Sequence, residues 1–555
     1  MNINKIYKSV ALVLVSFSIG IKTYGQEVDS LRLALNDEMK RNISKLKSKE
    51  FDDPFYISYT AKDYQTFVVS ASLGGILSLD NNHLRTSNTR VLVGGYDFND
   101  ESLFENSVEP YYSADDMEIP LEDDYEGIRR ALWLSTDKVY KTAGEIFNRH
   151  KAELKEKGKK IDEVPHLKFY KAKPVKITDL QYNVSLDFDA LESRVVKLSK
   201  YFLKYPELTI SNITLTAQKE VSYFVNSEGS DVKMDDLIVT LFIRAALQNE
   251  DGSYAFDQKR FVNDNASELF EENNFEKVID EMYASILEKQ KAARMDDSYE
   301  GPVLFLGEVV TDVFTNVLQQ FSPNPPKTED SEFGSEYEDV NALENKIGKK
   351  VMSSDITISL KPSLKTFNNQ KLLGSFQIND EGIVPSENVV LVENGVVKNL
   401  MTNRNYKQKE FIPNGTGQSP GVIDVEIKSK YNSLEDLKKH FIELLKEEEL
   451  EYGLIVRESP NMRMLEVYKL YLDGREELFT HANMEEIDLK TLRKIEGCTQ
   501  ERIVYNKPVS NGIISYIIPS AILLEELEIE PMRMAPYKMD LPLVDNPMKA
   551  ISEEN

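Results

Sequence analysis

A chain of 555 residues is too long for one hydrophobic core and therefore predicts two or three domains. The hydrophobic fraction of 41% and the charged fraction of 29% are ordinary for a globular protein and exclude a largely disordered or fibrous chain. The net charge of -26, without any basic patch interleaved with aromatic residues, argues against binding to nucleic acid.

The N-terminus has the pattern of a secretory signal peptide. Lys5 and Lys8 precede an apolar run over residues 10–21, and the small residue Gly25 lies just before Gln26. The run is shorter than the roughly 20 residues that a membrane span needs. No cysteine follows it, which excludes a lipoprotein anchor. We therefore expect cleavage near Gly25 and a periplasmic or secreted protein without a membrane anchor.

Helices and strands alternate in blocks through the first half of the chain. The spacing of apolar residues predicts three helices, over residues 27–50, 125–156 and 268–293. Runs of β-branched and aromatic residues predict strands, at residues 55–60, 66–70, 89–94 and within 208–246. Gly74–Gly75 and Asp80–Asn82 mark turns between the early strands. The only tryptophan, Trp133, lies on the second helix, and we expect it to pack in the core.

The last third of the chain is predicted to be mostly strand. Asn394–Gly395 lies between two valine-rich runs, which is typical of a hairpin with a type I′ turn, and Asp473–Gly474 predicts a second hairpin of the same kind. An amphipathic helix is predicted over residues 434–449. The remaining strands are predicted at residues 356–360, 513–518 and 523–529.

Together these patterns predict an α+β fold with mainly antiparallel sheets and flanking helices. We divide the chain into a signal peptide at 1–25, an N-terminal α/β region at 26–295, and a larger β-rich C-terminal domain at 296–555 with an acidic, proline-containing insertion at 322–346. A further division of the N-terminal region into 26–115 and 116–295 stays open.

Several stretches together resemble the TldD/PmbA family, the metallopeptidase-like proteins also called modulators of DNA gyrase. The resemblance rests on the order and spacing of residues 301–312, 374–382, 390–404 and 517–527. The N-terminal half, with its stretches 56–59 and 123–132, fits an exported branch of the family. The resemblance implies a dimer with a cleft near the subunit interface. It also implies zinc in the active members, which act on small or unfolded peptides.

The residues that should hold the zinc are missing. Active members carry an HExxxH motif on a helix, in which two imidazoles bind the metal and the glutamate acts as base. Gly307 and Asp312 stand at the two histidine positions, and Glu308 retains the position of the base. The family's third ligand, a cysteine, would fall around Ile514. The single Cys498 lies upstream of it and is expected to be a packed core residue.

The histidines offer no replacement for this site. None of them has a partner at the three- to five-residue spacing of a local ligand pair: His83, His150, His166, His440 and His481. We therefore expect no cofactor.

The polar residues of the matching helix leave two interpretations open. Glu308 and Asp312 lie four residues apart on one helix face, so they could bind a hard cation such as Ca²⁺ or Mg²⁺, or they could be solvated. Thr311 joins them in the polar stripe. The glycine-rich loop with Asn414 and Thr416 could be flexible and cover the cleft, or be a long turn. Thr311, Asp312, Asn414 and Thr416 are the candidate cleft residues.

Two functions from different classes remain. The first is a non-catalytic scaffold that binds a peptide or a TldD/PmbA-type partner subunit, as a homo- or heterodimer. The second is an active peptidase with an unrecognised metal site, although no G-x-S-x-G or HExxH motif is present.

Protein purified from a host that exports it is expected to begin near Gln26, because the basic and apolar segments before Gly25 direct cleavage there. N-terminal sequencing of the soluble periplasmic fraction checks this. A product that retains Met1 and sediments with the membranes would contradict it.

Overall fold

The computed structural model describes the chain in eleven segments, residues 29–103, 117–164, 166–182, 186–249, 252–322, 343–406, 412–417, 419–458, 465–484, 487–509 and 512–532. The predicted signal peptide and most of the predicted insertion lie outside them. Within the described segments the chain is α+β with mostly antiparallel sheets, which confirms the predicted fold class. None of the described helices is long and apolar enough to cross a membrane.

The helices of the described residues are α1 Ser30–Lys45, α2 Tyr125–Glu156, α3 Phe188–Ser199, α4 Ala266–Glu271, α5 Phe275–Lys291, α6 Val310–Gln319 and α7 Leu434–Glu447. Short 3₁₀ turns lie at Ile161–Glu163, Lys200–Lys204, Gly307–Val309, Glu344–Lys346 and Thr491–Arg493.

The strands of the first half are β1 Pro54–Ser72, β2 Gly75–Val93, β3 Met117–Glu118, β4 Lys168–Phe169, β5 Lys176–Asp179, β6 Ile210–Asn226, β7 Asp231–Gln248, β8 Tyr254–Asn263 and β9 Ala293–Arg294. Those of the second half are β10 Tyr299–Leu306, β11 Ile356–Leu360, β12 Thr366–Phe367, β13 Gln370–Lys371, β14 Val389–Glu393, β15 Val396–Val397, β16 Asn405–Tyr406, β17 Val422–Ile427, β18 Tyr452–Glu458, β19 Leu465–Tyr471, β20 Glu476–Met484, β21 Ile495–Cys498, β22 Arg502–Val509, β23 Gly512–Pro519 and β24 Ala521–Pro531.

Three large sheets organise these strands. The first has the order β3-β2-β1-β6-β7-β5, with β8 also on β7, and only β5 and β7 are parallel in it. The second has the order β21-β24-β10-β18-β19-β20-β9, and the third β15-β14-β11-β17-β23-β22. Helices α1 and α2 pack against the first sheet, and α6 lies within the core shared by the second and third sheets. Strands from both 26–115 and 116–295 lie in the first sheet.

Two predicted boundaries in the first half are wrong. The strands predicted at 55–60 and 66–70 form one strand, β1, which is hydrogen-bonded along its length between β2 and β6. The turn predicted at Asp80–Asn82 lies inside β2, opposite Val68, Phe67 and Thr66 of β1. The long neighbouring strand outweighs the turn preference of this local sequence.

Asparagine side chains split the helix predicted over 268–293. Asn273 donates its side-chain amide to the Leu269 carbonyl near the end of α4, at 2.8 Å. Asn274 caps α5 by accepting a hydrogen bond from the Lys277 backbone N–H, at 3.2 Å. Asparagine is a strong N-cap residue, so the new helix begins here.

The two predicted hairpins differ in the conformation of their turn residues. Asn394 and Gly395 have φ values of +48° and +78°, as a type I′ turn requires. The second hairpin joins β19 to β20, but only Gly474, at φ +86°, is left-handed there and Asp473 is not. The prediction of the same turn type was therefore wrong.

The tryptophan prediction was also wrong. Trp133 is 42% exposed, and its neighbour Leu134 is 47% exposed on the same stretch of α2. The helix buries Ile128, Leu132 and Val139 instead, because these residues face the first sheet and α1.

A buried arginine joins the two halves of the chain. Arg404 has no exposed surface, and one of its terminal nitrogens donates to both carboxylate oxygens of Glu228 at 2.7 and 2.8 Å. The same nitrogen and Nε donate to the Tyr170 carbonyl at 2.6 and 3.0 Å, and the other terminal nitrogen donates to the Tyr56 hydroxyl at 3.0 Å. The guanidinium lies 4.1 Å from the centre of the Phe169 ring. One side chain of the second half is thus held by three elements of the first.

A second arginine extends this network. Glu381 accepts the backbone N–H of Arg404 at 2.8 Å and pairs with Arg90 of β2 at 3.1 Å. Arg90 also pairs with Glu101, which accepts a hydrogen bond from the Asn405 side chain at 2.9 Å. The charges alternate in sign across the junction, which offsets the cost of burying them.

Replacing Arg404 with methionine is expected to lower the free energy of unfolding by about 3–5 kcal/mol, because the carboxylate of Glu228 would stay buried without its partner. Urea denaturation followed by circular dichroism measures this. Arg244→Met, at an exposed position of β7, is the control and should change the value by less than about 0.5 kcal/mol. Equal effects of the two variants would contradict the role of the buried network.

Candidate functional site

The chain turns from strand to helix at the residues that match the zinc motif. Strand β10 ends at Leu306, and the Gly307 backbone N–H donates to the Ser520 carbonyl at 2.9 Å. Gly307 has φ +75°, a left-handed conformation that other residues adopt only with strain. The 3₁₀ turn Gly307–Val309 then leads into α6. A side chain at position 307 would therefore strain the backbone, although a β-carbon there would meet only the Tyr505 hydroxyl, at an ordinary contact distance of 3.6 Å.

One face of α6 is embedded in the core, and its start is held at the surface. Val310, Val313, Phe314 and Val317 are fully buried between the second and third sheets. The helix has the predicted apolar and polar sides, but Thr311, which was predicted on the polar side, is fully buried. Its hydroxyl donates to the Glu308 carbonyl at 2.8 Å. The rigid core thereby determines where Glu308 and Asp312 project.

A lysine from another strand is bound to this polar face. The ammonium of Lys507, on β22, forms an ion pair with Asp312 and lies 3.3 Å from the Thr311 hydroxyl. The charge of Asp312 is therefore balanced within the chain. A divalent cation at Glu308 and Asp312 would have to displace this lysine, which weakens the interpretation of the pair as a cation site.

Glu308 lies among charges from both halves of the chain. Its side chain reaches the surface, but the surrounding protein partly desolvates the carboxyl group, and this desolvation raises its pKa. The negative charge of Asp312 raises the pKa further. Lys507, Lys259 and Arg260 act in the opposite direction. Lys259 and Arg260 belong to β8 of the first sheet, so the start of α6 lies near charges of the N-terminal half.

Two tyrosines lie beside the polar face of α6. Burial and the nearby charge of Glu308 raise the pKa of Tyr505, whose hydroxyl lies 3.6 Å from where a β-carbon of residue 307 would be. Tyr516 is 2% exposed, and its hydroxyl lies 3.5 Å from that of Thr315 on α6. Both tyrosines are therefore neutral hydrogen-bonding groups beside the polar face.

The residues at the family's metal position do not fit zinc. Gly307 has no donor atom, Asp312 is paired with Lys507, and the strand around Ile514 offers Ser515, which is buried and donates to Asn506 at 2.6 Å. Zinc sites in proteins are built from cysteine thiolates, histidines and carboxylates in sets of three or four. Within the described residues no group of three or more histidines, cysteines, aspartates or glutamates could hold a metal ion.

The histidines and the cysteine are dispersed through the fold. Cys498 is fully buried in the core, as predicted, and burial raises the pKa of its thiol to about 11. His150 is fully buried on α2, and desolvation lowers its pKa to about 4. The others lie on separate elements: His83 on β2 beside Asp63, His166 before β4, His440 on α7 and His481 on β20.

The loop with Asn414 and Thr416 is a packed turn. Thr416 is fully buried, and its hydroxyl donates to the Asn414 side chain at 2.7 Å. Asn414 also exchanges hydrogen bonds with Thr402 and donates to the Leu400 carbonyl at 2.8 Å. Met401, which follows Leu400, donates its backbone N–H to the carbonyl of Phe321 just after α6. The loop therefore lies near the end of the helix that is far from Glu308. The structure does not bring Asn414 and Thr416 together with Thr311 and Asp312.

Sequence reasoning missed the residues that surround Glu308 and Asp312: Lys507, Tyr505, Tyr516, Lys259 and Arg260. The available signal was the spacing of Tyr505 and Lys507, which places both on one face of a strand. The partner of that face is nearly two hundred residues away, and no local pattern identifies it.

Residues 299–467 match the PmbA/TldA metallopeptidase C-terminal domain, which spans β10, α6 and the strands up to β19. A protein named "Metalloprotease" from Methanothermobacter thermautotrophicus is 26% identical over 210 residues. That match covers 38% of this chain and 42% of the relative, so less than half of the relative's length is represented.

Three solved structures have the same fold at low sequence identity. A modulator of a DNA gyrase from Thermotoga maritima aligns with a TM-score of 0.54 and 16% identity, over 89% of this chain and 99% of that one. TldE from Thermococcus kodakarensis aligns at 0.51 and 16%, over 89% and 100%. A modulator of DNA gyrase from Bacteroides thetaiotaomicron aligns at 0.55 and 12%, over 90% and 99%.

The matched domain and the shared fold define a metallopeptidase-like protein. Residues 299–467 carry the C-terminal domain of the TldD/PmbA family, which confirms the resemblance that the sequence predicted.

The purified protein is expected to hold well under one zinc ion per chain, measured by elemental analysis, because Gly307 and Asp312 supply no imidazole. Lys507→Met releases Asp312 and should still bind no zinc. Stoichiometric zinc in the unaltered protein, removed by chelators with loss of folding or activity, would contradict this. Stoichiometric zinc in the variant alone would identify the lysine as the block.

Proposed function

We propose that this protein is a zinc-free, non-catalytic member of its family that binds a peptide or a partner subunit in the cleft beside α6. One observation carries the proposal: at the position of the zinc ligands, Gly307 offers no donor and Asp312 is bound by Lys507. Without a metal-bound water, Glu308 has nothing to activate for hydrolysis.

The groups around the cleft are suited to binding a peptide. Glu308 and Arg260 carry opposite charges, and Tyr505 adds an aromatic ring with a hydroxyl. Amides, termini and apolar side chains of a peptide can each find a partner in such a surface. The net charge of -26 disfavours a nucleic-acid ligand.

The N-terminal pattern supports action outside the cytoplasm, in the periplasm or after secretion. The partner subunit in this proposal is of the TldD/PmbA type, in a homo- or heterodimer.

An active peptidase is the second candidate, and the titration of Glu308 favours it. The raised pKa of this carboxyl group, in a cleft and at the family's base position, is a property of catalytic acids and bases. The metal would then come from a site that neither the motif nor the described residues reveal.

Glu308→Gln separates the two candidates. Any peptidase activity of the preparation is expected to be unchanged in this variant, because no activated water depends on Glu308. Hydrolysis of quenched fluorescent peptides, compared at equal protein concentration, measures this. A fall in turnover of about a hundredfold or more would make Glu308 catalytic and overturn the proposal.

Binding is tested on the same preparations with fluorescein-labelled casein peptides and fluorescence anisotropy. Lys507→Glu should weaken binding at least tenfold, because it places a third carboxylate beside Asp312 and Glu308. Lys45→Glu, an equal charge change at the exposed end of α1, is the control and should bind normally. Equal binding by both variants would place the peptide elsewhere.

A further inference from the structure

The end of the hairpin formed by β1 and β2 is an exposed apolar tip. Four of its side chains are large, apolar and 36–64% exposed: Leu73, Ile76, Leu77 and Leu79. Every residue from 75 to 83 is exposed, so within the described chain neither face of this part of β2 is covered. Exposed apolar residues that are grouped in this way mark a contact with an apolar partner.

The backbone of the turn supports a role for these apolar side chains. Leu73 and Gly74 have φ values of +51° and +85°. Asparagine, aspartate or glycine normally occupies the first of two such positions in a hairpin turn, because leucine adopts this conformation only with strain. An asparagine at position 73 would relieve the strain but would remove an apolar group from the tip. Strain at an exposed position points to a function there.

A row of cations leads to the apolar tip along α3. Arg194, Lys197 and Lys200 follow one another at three-residue spacing, and all three are exposed. Lys200 lies over the turn, since its side chain would collide with a β-carbon on Gly74. The Gly74 backbone N–H donates to the Ser199 hydroxyl at the end of α3, at 2.9 Å. Positive charge is therefore held directly beside the apolar tip.

The three cations line a groove of about 960 Å³ between α3 and the start of α5. The wall formed by α4 and α5 carries three exposed acids, Glu271, Glu272 and Glu276. A headgroup that contains both a phosphate and an ammonium, as in phosphatidylethanolamine, matches both signs of charge. A purely anionic headgroup would be attracted by one wall and repelled by the other.

We propose that the apolar tip inserts into a phospholipid surface and that the groove binds its zwitterionic headgroups. A fluid lipid phase can surround side chains on both faces of the strand, whereas a docked protein would cover one face. The net charge of -26 opposes approach to an anionic surface and therefore favours a neutral one. Such contact is shallow and reversible and needs no spanning helix. It does not involve the residues around Glu308.

Vesicle flotation tests the apolar tip. The unaltered protein should float with vesicles of phosphatidylcholine and phosphatidylethanolamine. Leu77→Ser should lower the ratio of bound to free protein about fivefold or more, because it removes the most exposed leucine of the tip. Leu134→Ser, at an exposed leucine of α2, is the control and should float like the unaltered protein. Failure of the unaltered protein to float, or equal losses in both variants, would overturn the proposal.

Lipid composition and charge reversal test the groove. Replacing half of the zwitterionic lipid with phosphatidylglycerol should lower the bound fraction, because the chain and the lipid then carry charge of the same sign. Lys200→Glu should weaken binding to the zwitterionic vesicles about fivefold or more, whereas Lys45→Glu at the exposed end of α1 should not. Tighter binding with phosphatidylglycerol, or equal effects of the two variants, would overturn the assignment of the headgroup.

A fluorescent label distinguishes lipid from a protein partner. Cys498 is buried, so Leu77→Cys provides the only exposed thiol of the chain for a polarity-sensitive dye. With protein-free vesicles, the emission of the dye at position 77 should shift to shorter wavelength because the dye leaves water. The same dye on Ser44→Cys, at an exposed position of α1, should show no shift. Unchanged emission at position 77 would overturn insertion and leave a protein as the occupant of the tip.

Discussion

The guanidinium group of Arg404 is fully buried, and the arrangement of the two halves of the chain depends on the groups that balance its charge. Its partners are contributed by the turn between β6 and β7, by the segment around β4 and by Tyr56 of β1. A buried guanidinium accepts few alternative geometries because each of its donors needs an acceptor in the plane of the group. Small displacements between the halves would therefore leave several groups unsatisfied at once.

The charges that surround Glu308 depend on the same constraint. Lys259 and Arg260 are close enough to Glu308 to influence its pKa because the first sheet is held against the second half. Within the second half, β22 brings Lys507 to Asp312. A lysine ammonium there provides positive charge, as a zinc ion would. Unlike a zinc ion, it cannot coordinate a water molecule. The polar face has a cationic partner in Lys507, and Gly307 and Asp312 do not provide the histidines of the family's zinc motif.

The sequence was most informative where local chemistry decides the outcome. The boundaries of α2 and the turn at Asn394 and Gly395 follow from periodicity and turn residues. Prediction failed where a distant element decides: β1 holds Asp80–Asn82 in a strand, and the core covers Thr311. At the site, the sequence located Glu308, Gly307 and Asp312 through the family motif. It could not locate Lys507, because that contact depends on how β22 is placed in the third sheet.

The exposed position of Trp133 has a consequence for optical measurements on this protein. Indole emission responds to the polarity around the ring, and the only indole of the chain is already partly in water in the folded state. Loss of the fold will change its surroundings little, whereas a molecule that covers α2 would change them strongly. Intrinsic tryptophan fluorescence is therefore a poor measure of unfolding here and a selective reporter of contacts made at one helix face.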